Sequence, residues 1–129
     1  MVSYRSALAR VRGLGPSHHG AGHWLSERLT SIAMVPLSLW AVYSGLVLAT
    51  TGYAGAVTWL SSPVNAVLTA LLLAIGFLHM HAGLRVVVED YIHTRFNKAA
   101  LLLLNLSVCV LGAALSIFSV LKVALGAAV

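Results

Sequence analysis

Acidic side chains are almost missing from this sequence. Asp and Glu number three among 129 residues, against eight Lys and Arg. Charged residues make up 9% of the chain and apolar ones 60%, whereas a soluble domain carries roughly 25% charged residues. A soluble globular fold is excluded, and the chain belongs in a membrane. Cysteine is scarcer still. The single Cys109 permits neither an internal disulfide nor a metal site built from several thiolates. It lies in an apolar run and reads as a small residue at a helix–helix contact. No internal repeat, phosphate-binding loop, nucleophile–base pair or complete metal site is visible. The chain is not a catalyst by itself, and nothing in it is suited to nucleic acid.

What the sequence does hold is three long apolar runs, at about residues 29–50, 64–88 and 99–123. Each reaches the ~20 residues a helix needs to cross a ~30 Å hydrocarbon core. The expected fold is an all-α integral membrane protein with three transmembrane helices over residues 27–129. Residues 1–26 precede them as a basic arm that holds Arg5, Arg10 and Arg12 and no acid. Such a start resembles an organelle transit peptide, but it lacks the apolar core of a secretory signal. We read it as a cytoplasmic arm.

Charge placement orients the spans. Arg5, Arg10, Arg12 and Arg28 precede the first run, and Arg95 and Lys98 separate the second from the third. The connection TGYAGAVTWLSSPV between the first and second has no basic residue. The positive-inside rule therefore puts the amino terminus and the second connection in the cytoplasm. Lys122 falls at the outward end of the last span, where its stem can snorkel to the interface. Ser62-Pro63 has the form of a helix start, Asn97 is placed to cap the third helix, and Pro36 should kink the first. Trp24, Tyr53, Trp59 and Tyr91 fall near expected interfaces, and Trp40 does not.

The second run carries an unusual load of ionisable groups in FLHMHAGLRVVVEDYIH. Such groups are costly inside a bilayer and point to function. At ~100° per residue, His79 shares a face with Gly83, and Asp90 returns to within ~20° of it about 16 Å along the axis. His81 points about 200° away. Its face continues through Arg85 and Glu89 at the spacing of an ion pair. A buried imidazole with a glycine one turn on can ligate a haem iron, the flat macrocycle needing a position without a side chain. The alternative is a histidine hydrogen-bonded between helices. One chain supplies one such ligand, so a second must come from another protein.

Two further positions have open roles. Arg28, with His23 one or two turns before it, stands where the first span begins on the cytoplasmic side. It suits a haem propionate or a lipid phosphate. Tyr91 beside Asp90 closes the second helix at that same interface. Its hydroxyl suits a quinone carbonyl, or its ring belongs to the aromatic belt.

These residues carry a family likeness. His79-x3-Gly83-x6-Asp90-Tyr91, together with MVSYRSALARV and HWLSERLTSIAMVPLSLW, resembles the small membrane-anchor (D) subunit of succinate dehydrogenase, respiratory complex II, over nearly the whole chain. The resemblance implies a subunit of a bacterial inner-membrane enzyme that serves the tricarboxylic acid cycle and respiratory electron transport. Its partners would be a flavoprotein, an iron–sulfur subunit, a larger cytochrome b anchor subunit and membrane lipids. It implies haem b shared with that larger subunit and ubiquinone as substrate. His79 would be the haem axial ligand. Arg28 would meet a propionate, as would His23, whose spacing to Arg28 is a residue shorter than the family pattern. Tyr91 would contact ubiquinone, with Asp90 in support. The reading from a different class is a small three-helix transporter or channel subunit with an intramembrane proton relay. A third is a purely structural anchor without haem.

Overall fold

Each apolar run becomes one long helix, and an additional short helix lies between the first two. The computed structural model describes Leu8 and residues 20–126, without the side chains of residues 21 and 23. Helix α1 is Gly20–Leu48, α2 is Gly52–Leu60, α3 is Pro63–Tyr91 and α4 is Arg95–Ala124. The stretches Trp24–Leu48, Pro63–Tyr91 and Arg95–Ala124 are 25, 29 and 30 residues long and apolar enough to cross a bilayer. The protein is an all-helical, three-span membrane chain. Most of the basic arm expected before residue 27 lies outside the described residues, and α1 is already helical from Gly20.

The helix starts follow local chemistry, with one correction. Pro63 occupies the first turn of α3 after an extended Ser62, where its missing N–H and fixed φ suit a helix start. Asn97 does not cap the last helix. Thr94 holds the cap position with φ −77° and ψ 124°, and its carbonyl accepts the Lys98 N–H at 2.9 Å. The chain turns back within residues 92–94, so α4 begins before its apolar run does. Helix α1 continues past Pro36, as membrane helices can when neighbours satisfy the freed carbonyl.

The first connection, expected to be a loop, contains α2. Gly52 has φ +66°, a left-handed conformation that costs glycine little and breaks the chain away from α1. The apolar segment GYAGAVTWL then forms a short helix whose Trp59 stacks on Trp40 of α1, with ring centroids 5.6 Å apart. Asn65 donates to the Trp59 carbonyl at 2.9 Å and joins α2 to the start of α3. Trp40 thus has a packing partner away from the aromatic belt.

Helix α3 is central, with α1 against one side and α4 against the other, while α1 and α4 do not touch. Among the described residues no side chain is completely buried. Three helices in a layer leave their outer faces to lipid or to a partner. The spans approach closely at Gly112 on α4, where an added Cβ would stand 2.6 Å from Cε1 of Phe77. Gly112→Ala must displace that ring, and overpacking of this kind costs about 1–3 kcal/mol. A lower melting temperature in detergent is expected, restored in part by Phe77→Leu. An unchanged melting temperature would mean that the ring yields freely.

Candidate functional site

The central position of α3 gives its two intramembrane histidines different neighbours. His79 faces α1, where its Nδ1 lies 3.1 Å from Oγ1 of Thr30. That hydroxyl also lies 3.0 Å from the carbonyl oxygens of Ser26 and Glu27. Carbonyl oxygens only accept, so the hydroxyl proton goes to them and Oγ1 accepts from Nδ1–H. Nε2 is then the unprotonated nitrogen of His79, the form in which imidazole ligates a metal.

Two glycines flank His79 along α3. Nothing comes within 4 Å of where a Cβ on Gly83 would stand. On the opposite turn, Gly76 is about 60° from His79 around the helix, and its Cβ position meets only the Met34 sulfur at 4.0 Å. A groove of about 230 Å³ opens beside Gly76, lined by Met34, Leu72, Leu73, Gly76, Phe77 and Met80. The donor chemistry of Nε2 fits haem iron, and the two glycines leave the helix surface beside it without Cβ atoms. Among the described residues no three His, Cys, Asp or Glu side chains come together, so a metal held here needs a further ligand from elsewhere.

His81 lies on the α4 side. It lines a cavity of about 120 Å³ with Phe77, Leu106 and Cys109, and its buried Nδ1 has no hydrogen-bond partner. Its carbonyl accepts from Asn105 at 3.0 Å, and the Asn105 side-chain oxygen accepts from the Cys109 thiol at 3.3 Å. Cys109 is buried at that helix contact. The expected ladder is present: Arg85 Nε donates to Glu89 Oε1 at 2.8 Å. Lys98 Nζ reaches the Glu89 carbonyl at 2.8 Å, clasping α3 to α4. This side of the molecule is held together by polar contacts between its own helices.

The structure does not bring Arg28 to His79's side of α1. Arg28 is two residues from Thr30, about 200° around the helix, and its guanidinium sits 5.4 Å over the ring of Trp24. The side chain of His23 lies outside the described residues. Asp90 and Tyr91 end α3, both exposed. The backbone turns extended at Ile92, and the Tyr91 carbonyl is 3.1 Å from Nδ1 of His93. Tyr91 lies about 18 Å along the axis from His79, with its side chain open to a partner. Thr30 and Gly76 are the site residues that sequence reasoning missed. Gly76 was within reach, three residues before His79. Thr30 was not, because no local pattern pairs residues 49 apart.

Residues 2–119 match the family model described as succinate dehydrogenase/fumarate reductase transmembrane subunit. The chain belongs to that family. Similar proteins of this family include the succinate dehydrogenase hydrophobic membrane anchor subunit of Rickettsia conorii, 27% identical over 111 residues, 85% of this chain and 88% of the relative. The subunit so named in Rickettsia felis is 30% identical over 92 residues, covering 70% of this chain and 76% of its own length. That of Paracoccus denitrificans is 26% identical over 104 residues, 78% of each chain. No solved structure matches significantly. Family membership favours the anchor over the transporter reading, and so does the geometry. His79 and His81 open to opposite sides of α3, and among the described residues they build no continuous proton path.

Proposed function

We propose that this chain is the small anchor subunit of a succinate dehydrogenase in a bacterial inner membrane. It binds haem b jointly with a larger cytochrome b subunit and holds the flavoprotein and iron–sulfur subunits on the cytoplasmic face. The observation that carries this reading is His79, fixed through Nδ1 by Thr30 at 3.1 Å on a track where Gly83 has open space. When bound, haem b supplies a one-electron store between the iron–sulfur centres and quinone. His79 would hold its iron through Nε2, with a second ligand from the larger subunit. Arg28, turned away from His79's side of α1 and restrained over the Trp24 ring by a cation–π contact, meets lipid phosphate at the cytoplasmic interface.

Tyr91 donates its hydroxyl hydrogen to a ubiquinone carbonyl. Asp90 beside it accepts or relays a proton at the interface, and lipid surrounds the isoprenoid tail. The orientation follows from the basic residues around α1 and between α3 and α4, which keep these ends in the cytoplasm. A carboxyl-terminal tag on this chain, expressed with its native partners, should co-isolate a flavin-containing polypeptide and an iron–sulfur polypeptide in mild detergent. Recovery of the chain alone, or as a homo-oligomer without flavin, would overturn the proposal.

A further inference from the structure

We propose that Thr30 is a positioning residue for His79, setting both the tautomer and the donor strength of the ring. The inference rests on His79 being the haem ligand. Thr30 is half-buried on α1, about 200° around that helix from Arg28, and it reaches His79 across 49 residues of sequence. Its single proton has two carbonyl acceptors at 3.0 Å, those of Ser26 and Glu27. The Glu27 carbonyl also accepts from Ser31 at 2.7 Å, so the Ser26 carbonyl is the less committed acceptor.

With the proton spent on the backbone, the remaining lone pairs of Oγ1 point outward as acceptors. The Nδ1–H of His79 is the donor that meets them. The opposite assignment fails on two counts. It would put the hydroxyl proton on Nδ1, leaving two carbonyl oxygens against Oγ1 with no hydrogen between. It would also put the other ring proton on Nε2, which then has no lone pair to donate.

Removing the acceptor has a defined chemical consequence. A ring that donates Nδ1–H to an oxygen is the stronger ligand through Nε2, and its loss typically weakens metal affinity 10–100-fold. The stronger donor favours the ferric over the ferrous state, so removing the acceptor raises the haem midpoint potential. A tenfold change in that preference is about 59 mV for one electron.

The test uses the assembled complex with Thr30→Val, which keeps the shape and removes the hydroxyl, and Thr30→Ser, which keeps the hydroxyl. Haem content and midpoint potential are measured by redox titration. Thr30→Val should lower haem retention at least tenfold on dilution into detergent, or raise the potential of the haem that stays. Thr30→Ser should match the parent in both. Complete haem loss in the valine variant with retention in the serine variant supports the proposal equally. Parent-like potential and retention in Thr30→Val would overturn it. Equal changes in both variants would also overturn it, because packing and not the hydroxyl would then be responsible. A parent complex without haem, or His79→Ala with a normal haem spectrum, would instead defeat the ligand assignment itself.

Discussion

His79→Ala is expected to yield a complex without the haem b spectrum, while His81→Ala keeps it. The two residues are neighbours in sequence with equal chemistry, so composition and hydropathy treat them alike. Geometry separates them. His79 faces α1, where Thr30 holds its Nδ1, and the Cβ-free surface of Gly83 lies on the following turn. His81 lines the small cavity between α3 and α4 beside Cys109 and Leu106, enclosed by this chain's own helices and away from α1. Reduced-minus-oxidised spectra of the two variants, normalised to flavin, read the difference directly. Equal loss from both variants would reject the assignment, as would a normal spectrum in His79→Ala.

The second large effect belongs to Tyr91. The iron–sulfur partner docks on the cytoplasmic face in the proposed assembly, so electrons enter at the end of α3. Tyr91 is there, 76% exposed, with Asp90 before it. A hydroxyl bonded to a quinone carbonyl contributes about 0.5–1.5 kcal/mol net, more if its loss strands a buried acceptor. Tyr91→Phe should therefore lower ubiquinone reduction by about two- to tenfold or more, at tenfold for each ~1.4 kcal/mol. Succinate oxidation with a dye that accepts electrons upstream should stay near the parent value, and so should the haem spectrum. If ubiquinone reduction also stays at the parent value in an intact complex, Tyr91 is an interfacial anchor and no more.

The three spans were legible because a membrane helix depends on a run of apolar residues, and that is a local property. Angular arithmetic along α3 was legible for the same reason. A regular helix fixes that His79 and His81 diverge and that Arg85 meets Glu89, observed at 2.8 Å. Contacts between spans were not legible. Thr30 joins His79 from the preceding helix, and Phe77 packs on Gly112 of the next. Both depend on helix register, which hydropathy does not encode. Helix α2 was missed because its apolar residues are short of a span and sit between Gly52 and Ser61, both of which read as loop. Asn97 was misplaced as a cap because the apolar run suggests a later start than the tight turn at residues 92–94 imposes.

The central claim is that this anchor holds one side of a haem between itself and a second membrane subunit. The most direct measurement is a reduced-minus-oxidised spectrum of the tagged complex, with haem and flavin quantified in the same sample. The account predicts a six-coordinate b-type spectrum with one haem per flavin (~1:1), lost together with His79. A complex that assembles with flavin and quinone reductase activity but shows no b-type haem would contradict it.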